Sequence, residues 1–451
     1  MTKQVDNPQH ISLLIPTRAR TAYLQRLFAS LEATTSSKNE VDAWVYVDED
    51  DDATRGFIAA HPTLPYTFQV HWLVGERTNT QGEMTNRLWE RSASNAGIYF
   101  PLPDDYVFTT PGWDRLVRDA FNRFPDRIVL VYPDEATASV EQVTLIILSA
   151  EWLNATQHFM TAYFPFWFDD TWVDQVAQMI QRKVKVGVHA DPQGNKGKTI
   201  RMRNLRFWNE FFRNTLDERV DEAERLRRAI YPPGSAAYQQ NAALGAAVAQ
   251  RIRAQSKPPD IEAVIYTERT FGGEAVKLKP NAKYLAVEAN AAQHLYHKAV
   301  AAINQQRYGE ALDLLENIRY ASQTFTQVEY ARAVCLSATG HGPEARQAAL
   351  AERERQPGHP GAAALLAQLD ARDAGVISVP GTIHVDDGAL VPTGDNMGYP
   401  RLNLWSELRV RLMPLTLRLQ TVGGLMASKP VQQWPADFLD LWTRFWRRRA
   451  N

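Results

Sequence analysis

The chain of 451 residues is 45% hydrophobic, 22% charged and 10% aromatic, so it can build sizeable cores and is neither disordered nor fibrous. Lys plus Arg is 50 and Asp plus Glu is 51, a formal net charge of −1, which removes a globally basic nucleic-acid binder and leaves partners to be argued from local sites. A single cysteine, Cys335, excludes an intrachain disulfide, a cysteine-based zinc site and haem attachment, and fits a reducing cytoplasm.

The length predicts about two to four domains. Met1 to Pro8 has no basic segment leading into an apolar run, and no run of about 18 apolar residues occurs, so neither a signal peptide nor a spanning helix is expected. From about residue 10 to 230, short apolar runs alternate with amphipathic segments, which predicts an α/β domain around a mostly parallel sheet. Residues 11–15 (ISLLI) read as a strand ending at Pro16, and 22–31 as a covering helix carrying Leu24, Leu27, Phe28 and Leu31 at helical spacing. Residues 41–47 (VDAWVYV) read as a second strand that runs into the acidic cluster Asp48-Glu49-Asp50-Asp51-Asp52, with further strands at 68–74, 128–132 and 143–148.

Residues 231–290 form a connecting segment, with a Pro-Pro-Gly-Ser turn at 232–235, an Ala/Gln-rich helix and a linker at 256–260. Between 291 and 372, Tyr296 and Tyr330, Ala299 and Ala333, Glu310 and Glu344, and Ala311 and Ala345 recur 34 residues apart. The stretch resembles tetratricopeptide repeats, in which small residues at fixed places let paired helices approach. Residues 373–451 mix Gly/Pro loops with helical stretches. The tail at 438–449 sets Phe438, Leu441, Trp442, Phe445 and Trp446 on one face beside a basic cluster, which suits docking on another domain or peripheral contact with a membrane.

The chemistry is expected where loops leave the strands. In open α/β sheets ligands gather outside the carboxyl ends of strands, and there this chain concentrates Thr17, Arg18 and Arg20, then Asp48 and Asp50, then Asp104 and Asp105. The runs Ser12-Leu13-Leu14-Ile15-Pro16-Thr17-Arg18, Val47-Asp48-Glu49-Asp50-Asp51, Asp104 to Asp114, and Asp169-Asp170-Thr171-Trp172 together resemble the nucleotide-diphospho-sugar transferase (glycosyltransferase-A) fold, most of all the inverting family 2, over residues 11–215. The resemblance implies a metal-dependent, inverting transfer of a sugar from a nucleotide-sugar donor to an acceptor hydroxyl on a glycan, lipid-linked or protein acceptor, in the setting of surface polysaccharide or glycoconjugate synthesis. Pro16, Thr17, Arg18, Arg20, Asp48, Asp50, Arg77, Asn86 and Asp104 are then expected to bind the nucleotide sugar. Asp104, Asp105 and His189 would hold Mn²⁺ or Mg²⁺, and Asp170, or its neighbour Asp169, would be the base.

Some of these residues have plain structural readings. Asp169 or Asp170 could cap a helix starting near Trp172, Asp51 and Asp52 read as bystanders in a solvated turn, and Arg77 and Asn86 could belong to an ordinary helix. A loop at 194–198, followed by Arg201 and Arg203, could fold over a diphosphate, but it lacks the Walker pattern. His384-Val385-Asp386-Asp387 reads as a polar loop, and no Gly-x-Ser-x-Gly elbow supports a hydrolase. Two rival readings remain: a repeat-based interaction protein whose α/β domain binds a nucleotide sugar without turning it over, and a sugar-phosphate nucleotidyltransferase. The absence of a Gly-rich phosphate loop after the first strand counts against the latter.

Overall fold

From the N-terminus, β1 (Ile11–Thr17) leads into α1 (Thr21–Thr34), β2 (Val41–Asp48) into α2 (Asp52–Ala60), and β3 (Gln69–Gly75) into α3 (Gln81–Ser92). β4 (Ile98–Pro101) and β5 (Tyr106–Phe108) precede α4 (Trp113–Asn122), and β6 (Leu130–Asp134), β7 (Leu148–Ser149), α5 (Ala150–Thr156), α6 (Asp169–Met179) and β8 (Lys183–Pro192) complete the α/β part. The computed structural model describes residues 7–92, 96–134, 143–165, 167–193, 204–255, 282–373 and 385–395, all within one compact unit, Met1–Gly398. The expectations for 194–203, for the linker at 256–260, for His384 and for the tail at 438–449 lie outside the described residues.

The main sheet has the order β3-β2-β1-β4-β7, parallel except for β7, which runs antiparallel to β4. Ile11, Leu13, Leu14 and Ile15 of the central strand are all fully buried, as expected of a strand covered on both faces. α1 covers one face with Leu24, Leu27, Phe28 and Leu31. A second sheet, β5-β8-β6, shares this core through Phe108, Val131, Val188 and Ala190. Asp114 is fully buried and pins α4 to the turn after α1, accepting from the amides of Ser36 (2.8 Å) and Ser37 (3.0 Å) and from Arg118 (2.7 Å). The strand expected at 143–148 shrinks to β7 and one bridge between Ile147 and Val131; Val143, Leu145 and Ile146 are buried by their side chains rather than held in a ladder.

α7 (Leu205–Asn214), α8 (Leu216–Ile230) and α9 (Ala236–Gln255) follow, then α10 (Ala282–Asn304), α11 (Tyr308–Arg319), β9 (Gln323–Phe325), α12 (Val328–Ala338), α13 (Gly342–Arg355), α14 (Pro360–Asp373) and β10 (Pro392–Asp395). α9 packs on α6 and α8, and Gly245 makes this close: a Cβ there would stand 2.6 Å from the Met179 carbonyl oxygen. From α10 to α14 each helix packs on its neighbour in sequence, and Ala299, Ala311, Ala333 and Ala345 are all fully buried. Glu352 of α13, also fully buried, accepts from the amides of Gln327, Glu329 and Tyr330 at the start of α12, groups that have no partner within that helix. Asn204, the N-cap of α7, ties that helix to α10 and to the end of α11: its side-chain amide donates to the Tyr320 carbonyl (2.6 Å) and to Glu288 (3.2 Å). β10 returns to pair antiparallel with β9. Among the described residues no helix is long and apolar enough to cross a membrane.

Candidate active site

The carboxyl ends of β1 and β2 and the loop after β4 meet at one rim of the main sheet. Thr17, the last residue of β1, donates its hydroxyl to Oδ2 of Asp104 (2.7 Å). Arg18 reaches across to β2, donating to Asp48 (2.8 Å) and, in a two-pronged pair, to Asp50 (2.5 and 3.1 Å). That fork holds the Asp50 carboxyl below the usual carboxylate range. Arg20 turns the other way: one guanidinium nitrogen pairs with Asp104 (3.1 Å), the other with Asp105 (2.7 Å), and the group lies 4.8 Å over the ring of Tyr23. Asp104 is only 2% exposed, and burial pushes its carboxyl up to about 6 against the pull of Thr17 and Arg20.

Among the described residues, two buried polar atoms at this rim are left without a hydrogen-bond partner: Oδ1 of Asp48, an acceptor, and Nε of Arg20, a donor. Such groups are costly to leave unpaired, and an acceptor and a donor of this kind are groups that a polar ligand can satisfy. Asp51 departs from its expected part as a bystander. It is 3% exposed, accepts from the Thr54 amide as N-cap of α2, and takes the Ala19 amide at 2.8 Å, so it fixes the turn that aims Arg18 and Arg20. In the row Asp48-Glu49-Asp50-Asp51-Asp52 the spacing alone does not single out Asp51 for that role. Asp52 does point to solvent. Pro16 precedes Thr17 within β1, and Arg77 stands 4.0 Å from Asp50, half exposed.

Asn86, expected at the nucleotide sugar or as an ordinary helix residue, has its side-chain amide engaged by backbone groups. Its Oδ1 accepts from the amides of Phe159 (2.8 Å) and Met160 (3.0 Å), and its Nδ2 donates to the Met160 carbonyl (2.8 Å). It thereby ties the loop before α6 to α3, whose first turn follows the carboxyl end of β3. Gly82 makes the same approach possible, since a Cβ there would lie 3.2 Å from the Ala162 backbone. The loop then delivers Thr161, whose hydroxyl lies 3.5 Å from Asp169.

Asp169 and Asp170 occupy the first turn of α6, which begins three residues before Trp172, after two residues with positive φ, Trp167 (54°) and Phe168 (66°). Left-handed backbone at two successive non-glycine residues is strained and recurs where side chains must be aimed. Burial, reinforced by the neighbouring Asp170 carboxyl, pushes Asp169 up to about 8, and burial also raises Asp170. Trp172 donates its indole N–H to Glu222 (2.8 Å), and beside them lies a cavity of about 250 Å³ bounded by Thr161, Tyr163, Trp172, Glu218, Glu222 and Arg225.

The expected metal set is only partly assembled. Asp104 and Asp105 offer hard oxygens of the kind Mg²⁺ or Mn²⁺ takes, so the donors fit in kind, and such ions commonly complete their shell with substrate phosphate and water. His189 does not join them. β5 and β8 run antiparallel, with the Gln193 amide on the Asp105 carbonyl (2.8 Å), and His189 stands exposed four residues back along β8, about 13 Å away at roughly 3.3 Å per residue. Among the described residues no three His, Cys, Asp or Glu side chains are grouped to hold a metal ion.

No family model and no curated protein matches the chain. Among solved structures it is similar to TarS residues 1–349 of S. aureus in complex with UDP-GlcNAc, at 11% identity over 78% of this chain and 93% of that one, with a TM-score of 0.38. It is also similar to the mannosyltransferase PcManGT of Pyrobaculum calidifontis in complex with GDP-Man and Mn²⁺, at 13% identity over 55% of this chain and 76% of that one, TM-score 0.33. A further likeness is to GalNAc-T7 with UDP, GalNAc and Mn²⁺, at 10% identity over 42% of this chain and 44% of that one, TM-score 0.34.

Proposed function

We propose that the chain is a glycosyltransferase that seats a nucleotide-diphosphate sugar on the rim formed by β1, β2 and the loop after β4, and passes the sugar to an acceptor hydroxyl with inversion. The observation that carries this reading is the pair of unpartnered buried atoms, Asp48 Oδ1 and Arg20 Nε, set among Thr17, Arg18, Asp104 and Asp105 at adjacent strand ends. A nucleoside diphosphate carries what each atom lacks: hydroxyl or base N–H donors for Asp48, phosphate oxygens for Arg20. Arg18, already oriented by Asp48 and Asp50, would flank the nucleoside.

Asp104 and Asp105 would hold Mg²⁺ or Mn²⁺, which when bound neutralises charge growing on the departing diphosphate. Asp170 or Asp169 would take the proton of the acceptor hydroxyl as it attacks the anomeric carbon from the face opposite the leaving group. A proton affinity above the ordinary carboxylate range suits that work, and the crowding of the α6 N-terminus supplies it. In this reading residues 1–230 are the catalytic domain, 231–290 connect it, and 291–372 are tetratricopeptide-like repeats that present an acceptor, a protein partner or a second copy of the chain. Support for the repeats comes from the fully buried Ala299 and Ala333 at equivalent places of α10 and α12, and Ala311 and Ala345 at equivalent places of α11 and α13.

The test is a thermal-shift panel of nucleotides and nucleotide sugars with and without Mn²⁺, followed by an assay for released nucleoside diphosphate. A ligand that binds only the folded chain must raise its melting temperature. A panel in which no nucleotide moves the transition would end the proposal. Binding of a donor without release or transfer in the presence of diverse acceptors would favour the non-catalytic binding module, a reading to which the engagement of Asp104 and Asp105 by Arg20 lends some weight.

A further inference from the structure

Three of the four carboxyl oxygens on Asp104 and Asp105 are already engaged: Asp104 Oδ2 by the Thr17 hydroxyl (2.7 Å), Asp104 Oδ1 by Arg20 (3.1 Å), and Asp105 Oδ2 by Arg20 (2.7 Å). The Arg20 guanidinium bridges the two acids and is backed by the ring of Tyr23 at 4.8 Å, while its Nε, buried, has no acceptor. From this we infer that Arg20 is a built-in counter-ion that closes the Asp104–Asp105 pair to a free divalent cation, and that a nucleoside diphosphate opens the pair by drawing the guanidinium onto its phosphates. The inference rests on the proposed donor site and deepens it: metal and nucleotide would bind this chain as one cooperative unit.

The physical reasoning is an exchange of ion pairs. In the free protein a cation approaching the two acids meets a fixed positive charge and a single uncommitted carboxyl oxygen. Divalent ions of this class need several oxygen donors, so affinity for the bare ion is low. A diphosphate offers Arg20 a planar, two-pronged partner at least as good as the carboxylates, and it gives the Nε donor an acceptor at the same time. Moving the guanidinium releases carboxyl oxygens next to phosphate oxygens, which together make a hard-oxygen site. Linkage then requires that nucleotide raise metal affinity by the same factor that metal raises nucleotide affinity.

The experiment titrates Mn²⁺ into the full chain and counts free Mn²⁺ by electron paramagnetic resonance, alone and with UDP or GDP present. The wild-type chain is expected to bind Mn²⁺ alone weakly and at least tenfold more tightly with the nucleotide it accepts. Arg20→Gln is expected to bind Mn²⁺ alone at least tenfold more tightly than wild type, with the nucleotide-dependent gain reduced to what the phosphate oxygens add by themselves; Arg20→Lys, whose single ammonium cannot bridge two carboxylates, falls between. Tyr23→Leu loosens the guanidinium without changing any rim charge and moves Mn²⁺ affinity in the same direction, which keeps the inference testable if Arg20→Gln fails to fold. Wild-type chain that takes Mn²⁺ equally well with and without nucleotide, or Arg20→Gln and Tyr23→Leu that leave the affinity for Mn²⁺ alone unchanged, overturns the inference. Nucleotide binding measured separately by thermal shift, both with Mn²⁺ and in EDTA, tells the two failures apart, because a chain that binds no nucleotide in either condition defeats the donor site while the comparison of variants in Mn²⁺ alone still reads the Arg20 latch.

Discussion

Asn86→Ala tests whether the candidate base is held in place from α3. The substitution deletes three hydrogen bonds, two from the amides of Phe159 and Met160 and one to the Met160 carbonyl. Phe159 and Met160 are 2% and 8% exposed, so their backbone groups gain little from water when the amide is gone. At a net of about 1 kcal/mol per bond the loss is about 3 kcal/mol. For a chain of this size, at about 2.1 cal/mol/K of unfolding entropy per residue, that corresponds to a fall of roughly 3–4 °C in Tm, read by thermal denaturation and cross-checked by urea midpoint at constant m. Because the same loop carries Thr161 to Asp169, turnover should fall with the loop, whereas nucleotide affinity, set at the strand ends, should change less than twofold. An Asn86→Ala chain that melts within about 2 °C of wild type but loses nucleotide affinity tenfold would refute this and return Asn86 to a ligand-binding role.

Three further outcomes are expected. Burial lifts the Glu288 carboxyl from 4.5 to about 7, so the folded chain keeps a proton that the unfolded chain releases; the stability this group contributes is whole below about pH 4.5 and is lost as pH rises through 7, a span of about 3 kcal/mol. Urea melts at pH 5 and pH 8 should show that loss in wild type and a flatter profile in Glu288→Gln; equal slopes would remove Glu288 as its source. If the α6 pair supplies the base, kcat rises with pH through an ionisation above the ordinary carboxylate range, and Asp170→Asn lowers kcat by about 10² or more with donor affinity nearly intact; a wild-type profile flat from pH 5 to 8 would exclude Asp169, and unchanged turnover in Asp170→Asn would exclude Asp170. Gly361→Ala would place a Cβ 2.5 Å from Cζ of Tyr330, a ring only 1% exposed, and should cost about 1–3 kcal/mol in calorimetry, whereas an unchanged Tm would mean that α14 shifts freely.

Much of the architecture follows from local pattern. The mostly apolar runs at 11–15 and 41–47 read as strands buried on both faces, and the 3.6-residue spacing of Leu24, Leu27, Phe28 and Leu31 reads as a helix covering such a sheet; both appear within a few residues of the expected bounds. The alternation of such strands with helices places Thr17, Arg18, Asp48 and Asp104 at carboxyl ends, so their gathering at one rim was inherent in the order of elements. By contrast, nothing in the spacing told Asp51, which caps α2 and takes the Ala19 amide, from the acids around it in a row of five.

What the chain order left open is settled by contacts between residues far apart in sequence. Whether Arg20 faces solvent, phosphate or Asp104 and Asp105, some 85 residues away, depends on which loops the strand order sets side by side. Asn86 reads as an ordinary polar helix residue until α3 and the loop 73 and 74 residues later are packed together. His189 sits at the end of an apolar run, and only the antiparallel register of β5 and β8 separates it from Asp105. Hydrophobic periodicity is a property of neighbours along the chain and is therefore written in the sequence, whereas the pairing of a charge is decided by whichever opposite charge the packed core brings within reach, and that information exists only once the core has formed.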